Sequence, residues 1–480
     1  MFKYVLVINT IFLIFRVFYV LLYPIDLSPE EAQYWDWSRH LDISYYSKPP
    51  MVAYMNFIST SILGNTELGV RINAILLSFS LSLITYFFVK RIFDERVALI
   101  SSVFPNLFVG FAINSVIFTT DAPLIFFWAL SVICFYFAVE KNEIKLWLLT
   151  GFFAGLAFLS KYPAVFLLPF GILYILLVKP SLLKDLKIYT SLVVAFILSL
   201  PVLIWNLEKD FISFKHVSNL ATQSSNFPNF AALGEFLGGQ IILLSLLPFF
   251  FILWGWYKSF KTKDNRLLFL TIFSFPIFMF FLVLSLKKRV YANWTGFGYY
   301  TASILFAYYF LKAPKYLKIA TLILSVFLTL LVQFSPIIDY LGLKNILPPK
   351  RDPTKFLVGW EDLGKAVSKY YTGEELIFST VYQISAEMAF YVKGNPRTYV
   401  FHINRYTQYY FWREGLEKFR DKDAIFVNYG GVPKGVLRSF SDKELLEEVK
   451  VLWRGEEVKR FYIFRLRDFK GEFYESPERY

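Results

Sequence analysis

The chain has 480 residues, of which 56% are hydrophobic and 20% aromatic, and its mean hydropathy is +0.47. Soluble domains are less apolar, so this composition predicts a polytopic membrane protein. Residues 335–480 contain 24 basic and 21 acidic residues, so most of the net charge of +13 belongs to the apolar part. In the apolar part the basic residues lie in short loops, and their distribution indicates the orientation of the protein in the membrane. We therefore expect no nucleic-acid partner. The single cysteine, Cys134, excludes an internal disulfide framework and a thiolate metal cluster.

Apolar runs long enough to cross a hydrocarbon core of about 30 Å predict about eleven transmembrane helices. They lie near 3–23, 68–89, 97–117, 122–139, 146–160, 162–178, 188–206, 236–257, 267–286, 293–311 and 318–334. The two short runs around Ser160 can also be read as one broken helix. Residues 1–23 are expected to be a span and not a cleavable signal peptide, because no small-residue cleavage site follows. Arg16 interrupts this run, where it would snorkel, face other helices or contact a substrate.

Basic residues are concentrated in the short loops 90–96, 140–145, 179–187, 258–266 and 312–317. By the positive-inside rule these loops are cytoplasmic, which puts segments 24–67 and 207–235 and the tail from Ser335 on the other side. We therefore expect a multi-pass membrane protein. Its active site and C-terminal domain would be extracytoplasmic.

The predicted fold is membrane α-helical over residues 1–334, with a first outer loop at 24–67, followed by a soluble α/β domain at 335–480. In the tail the patterns predict helices at WEDLGKAVSKYY and SAEMAFYV and strands at LIFSTVY, TYVF and AIFVNY. SDKELLEEVK is predicted to be a helix, and EVKVLW and KRFYIFRL a closing hairpin. The linker is placed at 335–355, which contains four prolines.

The stretch from Pro24 to Tyr54 is polar, aromatic and acidic, although it follows the first span. Ser28 is the predicted N-cap of a short helix, and Glu31 has the spacing of its capping-box partner. Glu30 would share a helix face with Tyr34, and an acid beside aromatic rings suits a sugar. Asp26 is the alternative candidate for the acidic residue of the site. We predict that Glu30 or Asp26 belongs to an active site in this loop.

Two lysines stand at the expected outer ends of spans, Lys48 before a Pro-Pro pair and Lys161 between two apolar runs. Each could snorkel to the membrane surface, or it could bind an anionic phosphate. A lysine at membrane level is costly unless it is paired or near water, so two of them on one side favour an anion.

Three further positions complete the predicted site. Asp121 opens an apolar span and is either a helix cap or a catalytic residue. Cations at 287–289 break the positive-inside pattern and predict an anionic ligand or lipid headgroup, with Arg289 and Asn293 as binding residues. Tyr46 joins Tyr34 as a substrate-binding aromatic residue.

The three histidines are dispersed without metal spacing, and there is no phosphate-cradling glycine loop. We therefore expect no metal, no cofactor and no nucleotide donor.

Several motifs resemble, in order, those of bacterial GT-C-type membrane glycosyltransferases related to protein O-mannosyltransferases and to the aminoarabinose transferase of lipid A. The first outer loop reads LSPEEAQYWDWSRHLDISYYSKPPMVAY, where the family has an acidic, aromatic motif followed by Lys-Pro-Pro. Later motifs are TTDAPLIFFWAL, GLAFLSKYPAVFLLP, PVLIWNLEKDFISF, GGQIILLS and RVYANW, and the tail has GWEDLGKAV and RYTQYYFW. The resemblance covers nearly the whole chain.

The resemblance implies an inverting transferase of the bacterial inner (plasma) membrane that takes a sugar from a polyprenyl-phosphate carrier and passes it to a lipid, glycan or protein acceptor. Its first loop would supply the base, and here Glu30 stands where the family usually has Asp. Lys48 and Lys161 match positions that contact the carrier phosphate, and Asp121 matches an acid at the start of a later span. Asn293 precedes Trp-Thr, where the family has Trp-Pro.

Two other classes of function remain open from the residues alone. A transporter or lipid flippase would perform no covalent chemistry, but such proteins more often place polar groups at mid-membrane on broken or repeated helices. A membrane-anchored binding protein would carry its function in the tail.

Overall fold

The structure, a computed structural model, describes residues 1–222, 227–403 and 406–475, with the side chains of 220–222 left out. Its first half contains α1 (Phe2–Leu22), α2 (Pro29–Ser38), α3 (Met51–Leu63), α4 (Glu67–Ile92), α5 (Glu95–Val103), α6 (Val109–Asn114), α7 (Asp121–Lys141), α8 (Ile144–Ser160), α9 (Leu167–Val178), α10 (Leu186–Glu208) and α11 (Ile212–Thr222). The remainder of the helical part contains α12 (Phe230–Leu243), α13 (Leu247–Ser259), α14 (Asn265–Ile272), α15 (Phe275–Ser285), α16 (Tyr299–Lys312), α17 (Lys315–Gln333) and α18 (Ile337–Tyr340).

Six apolar stretches of the described chain are long enough to cross a membrane: α1, α4, α7, α10, α14 with α15, and α17. The pair of α12 and α13, bent by 102°, would make a seventh, and three shorter apolar helices accompany them. An apolar core of aromatic and aliphatic side chains joins these helices. The fold is therefore membrane α-helical, as the composition predicts.

The count of long spans is lower than the predicted eleven, because some apolar runs do not form one continuous helix. The run at 97–117 breaks at Pro105, the second residue of a 3₁₀ turn (Phe104–Leu107) between α5 and α6. A proline inside a helix removes a backbone donor and clashes with the preceding turn. The run at 293–311 begins as a 3₁₀ helix (Ala292–Gly298), and only then continues as α16.

Two of the predicted basic loops, 140–145 and 179–187, lie next to each other. Lys179 Nζ donates to Val139 O at 3.2 Å, and Asn142 Nδ2 donates to Asp185 Oδ2 at 2.6 Å.

The tail forms a five-stranded mixed sheet with helices on it. Its elements are α19 (Trp360–Ser368), β1 (Leu376–Ser379), α20 (Tyr382–Tyr391), β2 (Thr398–Val400), β3 (Ala424–Asn428), α21 (Lys434–Leu437), β4 (Asp442–Trp453) and β5 (Glu456–Arg467). The strand order is β2-β1-β3-β5-β4. Strand β1 is parallel to β2 and β3, whereas β5 is antiparallel to β3 and β4.

The helix predicted for SDKELLEEVK is wrong, because these residues belong to strand β4. Glu, Leu and Lys favour helices, but tertiary context overrides this weak preference. Here the charges pair across the hairpin, as in the ion pair of Arg467 Nη2 with Glu444 Oε2 at 3.0 Å. The turn at Arg454 and Gly455 has positive φ at both residues, as a tight two-residue hairpin requires. The predicted closing hairpin is present.

The tail packs directly on the segment after α1. Trp35 of α2 meets Phe390 of α20 edge to face, with ring centroids 4.8 Å apart. Asp26 Oδ2 accepts a hydrogen bond of 2.7 Å from the backbone N–H of Trp360, at the start of α19. The tail thus contacts both α2 and the segment just before it.

Candidate active site

Glu31 is a structural residue at the beginning of α2. The predicted capping box is confirmed, because the Ser28 side chain accepts from the backbone N–H of Glu31 while the Glu31 carboxylate accepts from the backbone N–H of Ser28. The same carboxylate accepts two hydrogen bonds of 3.1 Å from the guanidinium of Arg71 and one of 2.9 Å from the Phe118 N–H. Glu31 and Arg71 are both fully buried. This network ties α2 to α4 and to the segment before α7.

Glu30 is rotated from Glu31 by about 100° around α2, because an α-helix has 3.6 residues per turn. Its side chain is exposed, and no hydrogen bond or ion pair holds its carboxylate within the described residues. The pKa of the Glu30 carboxyl is raised because the protein around it removes part of its hydration, an effect that the charge of Lys48 opposes. Glu30 is thus a free carboxylate with increased proton affinity.

Lys48 lies on a turn that leads into α3. Its carbonyl accepts from the Tyr45 N–H at 3.2 Å, and the buried Pro50 is the N-cap of α3, so the backbone is held on both sides. Its half-buried ammonium makes no hydrogen bond or ion pair within the described part of the chain. Burial first and the charge of Lys161 second lower the pKa of Lys48 to about 8, whereas Asp121 and Glu30 oppose this shift. The charges of these four residues therefore lie close together.

Asp121, Lys161 and Asn293 form a connected triad. Asp121 Oδ1 accepts from Lys161 Nζ at 2.6 Å, and Asp121 Oδ2 accepts from Asn293 Nδ2 at 2.8 Å. Asp121 is the first residue of α7 and Lys161 follows α8 in an extended conformation, while Asn293 lies in the 3₁₀ helix before α16. Three segments far apart in sequence thus converge on one carboxylate.

Glu30, Lys48, Asp121, Lys161 and Asn293 are called the site cluster below. Tyr34 lies beside it, because its buried phenol is close to the charges of Glu30 and Asp121 and within hydrogen-bonding reach of Thr120.

The structure does not bring three of the predicted residues into the site cluster. Asp26 binds the tail through Trp360. Arg289 forms an exposed ion pair of 2.9 Å with Glu235. The backbone N–H of Tyr46 donates to Gln408 Oε1 at 2.7 Å, and its ring packs against His216.

Arg71 is a residue of this region that the sequence reading missed. An arginine within an apolar run, next to an acidic loop, is itself a signal, because a charge at membrane level needs a partner. Its buried pairing with Glu31 leaves Glu30 as the unpaired acid of the two.

The site cluster combines a free carboxylate, a free ammonium and a second ammonium held by an ion pair. A free carboxylate can remove a proton from a hydroxyl, and two ammonium groups can hold a phosphate. Within the described ranges, no group of three His, Cys, Asp or Glu side chains is arranged to hold a metal ion.

The chain is similar in sequence to several known proteins. Residues 47–205 match the family described as dolichyl-phosphate-mannose-protein mannosyltransferase. Over 312 residues the chain is 30% identical to the lipid A galacturonosyltransferase RgtD of Rhizobium johnstonii, an alignment covering 64% of this chain and 66% of that protein. It is 24% identical to an undecaprenyl phosphate-alpha-4-amino-4-deoxy-L-arabinose arabinosyl transferase of Proteus mirabilis, over 58% of this chain and 56% of that protein.

Among solved structures, the fold is similar to that of ArnT from Cupriavidus metallidurans. The TM-score is 0.70 at 13% sequence identity, and the superposition covers 96% of this chain and 98% of ArnT. A second structure of that protein, bound to undecaprenyl phosphate, gives a TM-score of 0.69 and covers 95% of this chain and 97% of ArnT. The chain therefore belongs to the family of GT-C-type membrane glycosyltransferases that is related to protein O-mannosyltransferases and to the aminoarabinose transferase of lipid A.

Proposed function

We propose that the chain is an inverting glycosyltransferase that moves a sugar from a polyprenyl-phosphate carrier to a lipid, glycan or protein acceptor. The reaction takes place at the outer face of the bacterial inner membrane. The observation that carries this proposal is the unpaired carboxylate of Glu30 close to the unpaired ammonium of Lys48, beside the ion-paired Lys161.

In the proposed reaction Glu30 is the general base. Its carboxylate takes the proton of the acceptor hydroxyl as that oxygen attacks the anomeric carbon of the sugar. The bond between the anomeric carbon and the phosphate oxygen breaks, and both its electrons remain on the carrier phosphate. Attack from the face opposite the leaving group inverts the anomeric configuration.

The lysines stabilise the phosphate as it leaves. Negative charge grows on the phosphate oxygens in the transition state, and a fixed ammonium lowers the free energy of that state. Asp121 is assigned a positioning role, because both its oxygens are occupied by Lys161 and Asn293. Tyr34 forms part of the wall around the sugar.

The names of two relatives support the choice of substrates. The Proteus protein is named for an undecaprenyl-phosphate-linked amino sugar, which supports a polyprenyl-phosphate donor. The Rhizobium protein is named for lipid A, which favours a lipid among the three acceptor classes. None of these relatives is named as a transporter, so they give the flippase hypothesis no support.

The proposal is tested with purified protein in vesicles that contain a carrier-linked, labelled sugar and bacterial lipids. A transferase releases free polyprenyl phosphate and labels an acceptor, whereas a flippase leaves the donor intact. Mass spectrometry of lipids and glycans from cells with and without the gene then identifies the acceptor. An unchanged donor after addition of each acceptor class contradicts the proposal.

Lys48 is expected to set the alkaline limit of activity. The lysine binds phosphate only when protonated, so kcat/KM for the donor should fall as pH rises through about 8, the lowered pKa of Lys48. The base Glu30 works only when deprotonated, so activity should rise with pH through its raised pKa. The measurement is a pH profile of kcat/KM between pH 4 and 10.

Two variants separate Lys48 from other titrating groups. Lys48→Arg keeps the charge at high pH and should remove the fall near pH 8, while Lys48→Ala should raise the donor KM at every pH. If kcat/KM of Lys48→Arg still falls near pH 8 and the donor KM of Lys48→Ala is normal, Lys48 does not bind the carrier phosphate.

Asp121→Asn is expected to lower kcat/KM about 10- to 100-fold, because a hydrogen bond to a charged group contributes about 1.5–3 kcal/mol. The change removes the negative charge that holds Lys161 but preserves the shape of the side chain. Asn293→Ala is the matched control, since it removes one partner of Asp121 without removing a charge, and its effect should be smaller. Wild-type kinetics in Asp121→Asn would show that the ion pair does not position Lys161 for the reaction.

A further inference from the structure

A polar cavity of about 50 Å³ lies inside the helical bundle, apart from the site cluster. Arg16 of α1 lines it together with six serines, at 78, 82, 101, 102, 115 and 303. Arg16 is six residues from the end of α1, or about 9 Å along the helix axis at 1.5 Å per residue, so the cavity is within the apolar part of the molecule.

The guanidinium of Arg16 is buried, with 3% of the residue exposed, and has only neutral partners. Its Nη1 donates to Ser78 Oγ at 3.0 Å and its Nη2 to Asn106 Oδ1 at 2.7 Å. The ring of Phe12 lies 5.5 Å from it. Within residues 1–222, 227–403 and 406–475, no carboxylate forms an ion pair with Arg16. A full positive charge is therefore buried without an opposite charge.

The wall of the cavity also contains a buried hydroxyl that is available to bind a ligand. Ser101 Oγ is buried and has no hydrogen-bond partner among the described residues. The hydroxyl groups of Ser78, Ser102 and Ser303 donate to carbonyls of their own helices, and such hydroxyl protons can rotate towards a ligand. A water-sized particle needs about 10–15 Å³, so the cavity has room for one monatomic ion and a water molecule.

We propose that this cavity is a binding site for a small monovalent anion of the halide class, with chloride as its physiological ligand. Water could complete the hydrogen bonds of Arg16 and Ser101, but it cannot neutralise the charge, which is costly at membrane depth. An anion beside the guanidinium would accept these hydrogen bonds and also neutralise the positive charge. Asn106 belongs to the 3₁₀ turn between α5 and α6, so the bound anion would join α1 and α4 to the break at Pro105.

The test compares the wild-type protein in chloride, bromide and gluconate, since gluconate is too large for the cavity. Chloride or bromide should raise the Tm by about 3 °C or more over gluconate, because a ligand that binds only the folded state stabilises it. Crystals grown in bromide should show an anomalous scattering peak beside Arg16. Equal Tm values in all three salts together with no bromide peak would overturn the proposal.

Three variants assign the effect to this cavity. Arg16→Gln should abolish both the salt dependence and the bromide peak. Ser101→Ala, which removes only the free hydroxyl, should weaken the dependence and provides a second reading if Arg16→Gln does not fold. Ser325→Ala is the matched control, because Ser325 Oγ is also buried and unpartnered but does not line the cavity. If the Tm of both Arg16→Gln and Ser101→Ala still depends fully on halide, the site is refuted. A weaker dependence in Ser101→Ala, with full dependence in Ser325→Ala, supports it.

Discussion

Replacing Glu30 by Gln is expected to reduce sugar transfer by about 10²–10⁴-fold, the usual contribution of a general base. The amide has nearly the same size as the carboxylate but cannot accept the acceptor's proton. Since Glu30 makes no hydrogen bond or ion pair in the described part of the chain, its replacement breaks no structural contact. The variant should therefore fold, and it should bind the carrier-linked sugar with unchanged affinity. The measurement is single-turnover transfer in vesicles, together with donor binding.

Asp26→Asn is the matched control for Glu30→Gln. Asp26 is the neighbouring carboxylate that binds the backbone N–H of Trp360, so its amide should affect the docking of the tail more than the chemical step. Full transfer by Glu30→Gln and none by a folded Asp26→Asn would reverse the assignment and make Asp26 the base.

Replacing Glu31 by Gln is expected to lower the free energy of unfolding by about 3–5 kcal/mol, because it leaves the buried Arg71 without its counter-charge. Both side chains are fully buried, and the same carboxylate caps α2 and binds the Phe118 N–H. Transfer should fall only to the extent that less folded protein is present. Thermal unfolding of the purified variant in detergent measures the change, and transfer per folded molecule separates stability from chemistry.

Glu235→Gln provides the control for Glu31→Gln. Glu235 forms an exposed ion pair with Arg289, and such surface pairs contribute about 0–1 kcal/mol. Its loss should therefore leave the Tm almost unchanged. A stable but inactive Glu31→Gln would contradict the division of roles within the Glu30-Glu31 pair and would make Glu31 the base.

Local patterns were sufficient for the beginning of α2, because a capping box depends on residues three apart. The spacing of Ser28 and Glu31 therefore predicted the structural role of Glu31, and the same helix periodicity placed Glu30 beside Tyr34. Composition predicted the membrane helical fold, since burial in lipid needs long apolar segments whatever their partners are.

Contacts between segments distant in the chain could not be predicted from local sequence patterns. The triad of Asp121, Lys161 and Asn293 joins three segments separated by as many as 172 positions, and only the packing of α7, α8 and α16 brings them together. The same applies to Arg71, whose pairing leaves Glu30 free, and to Asp26, which binds the tail.

The sequence by itself thus determined the membrane helical fold and the capping box of α2, because these follow from composition and near-neighbour spacing. Tertiary structure decided which charges are paired and that SDKELLEEVK is a strand. In each of these cases the deciding interaction is with a residue or helix remote in the chain, whose position only the completed fold defines.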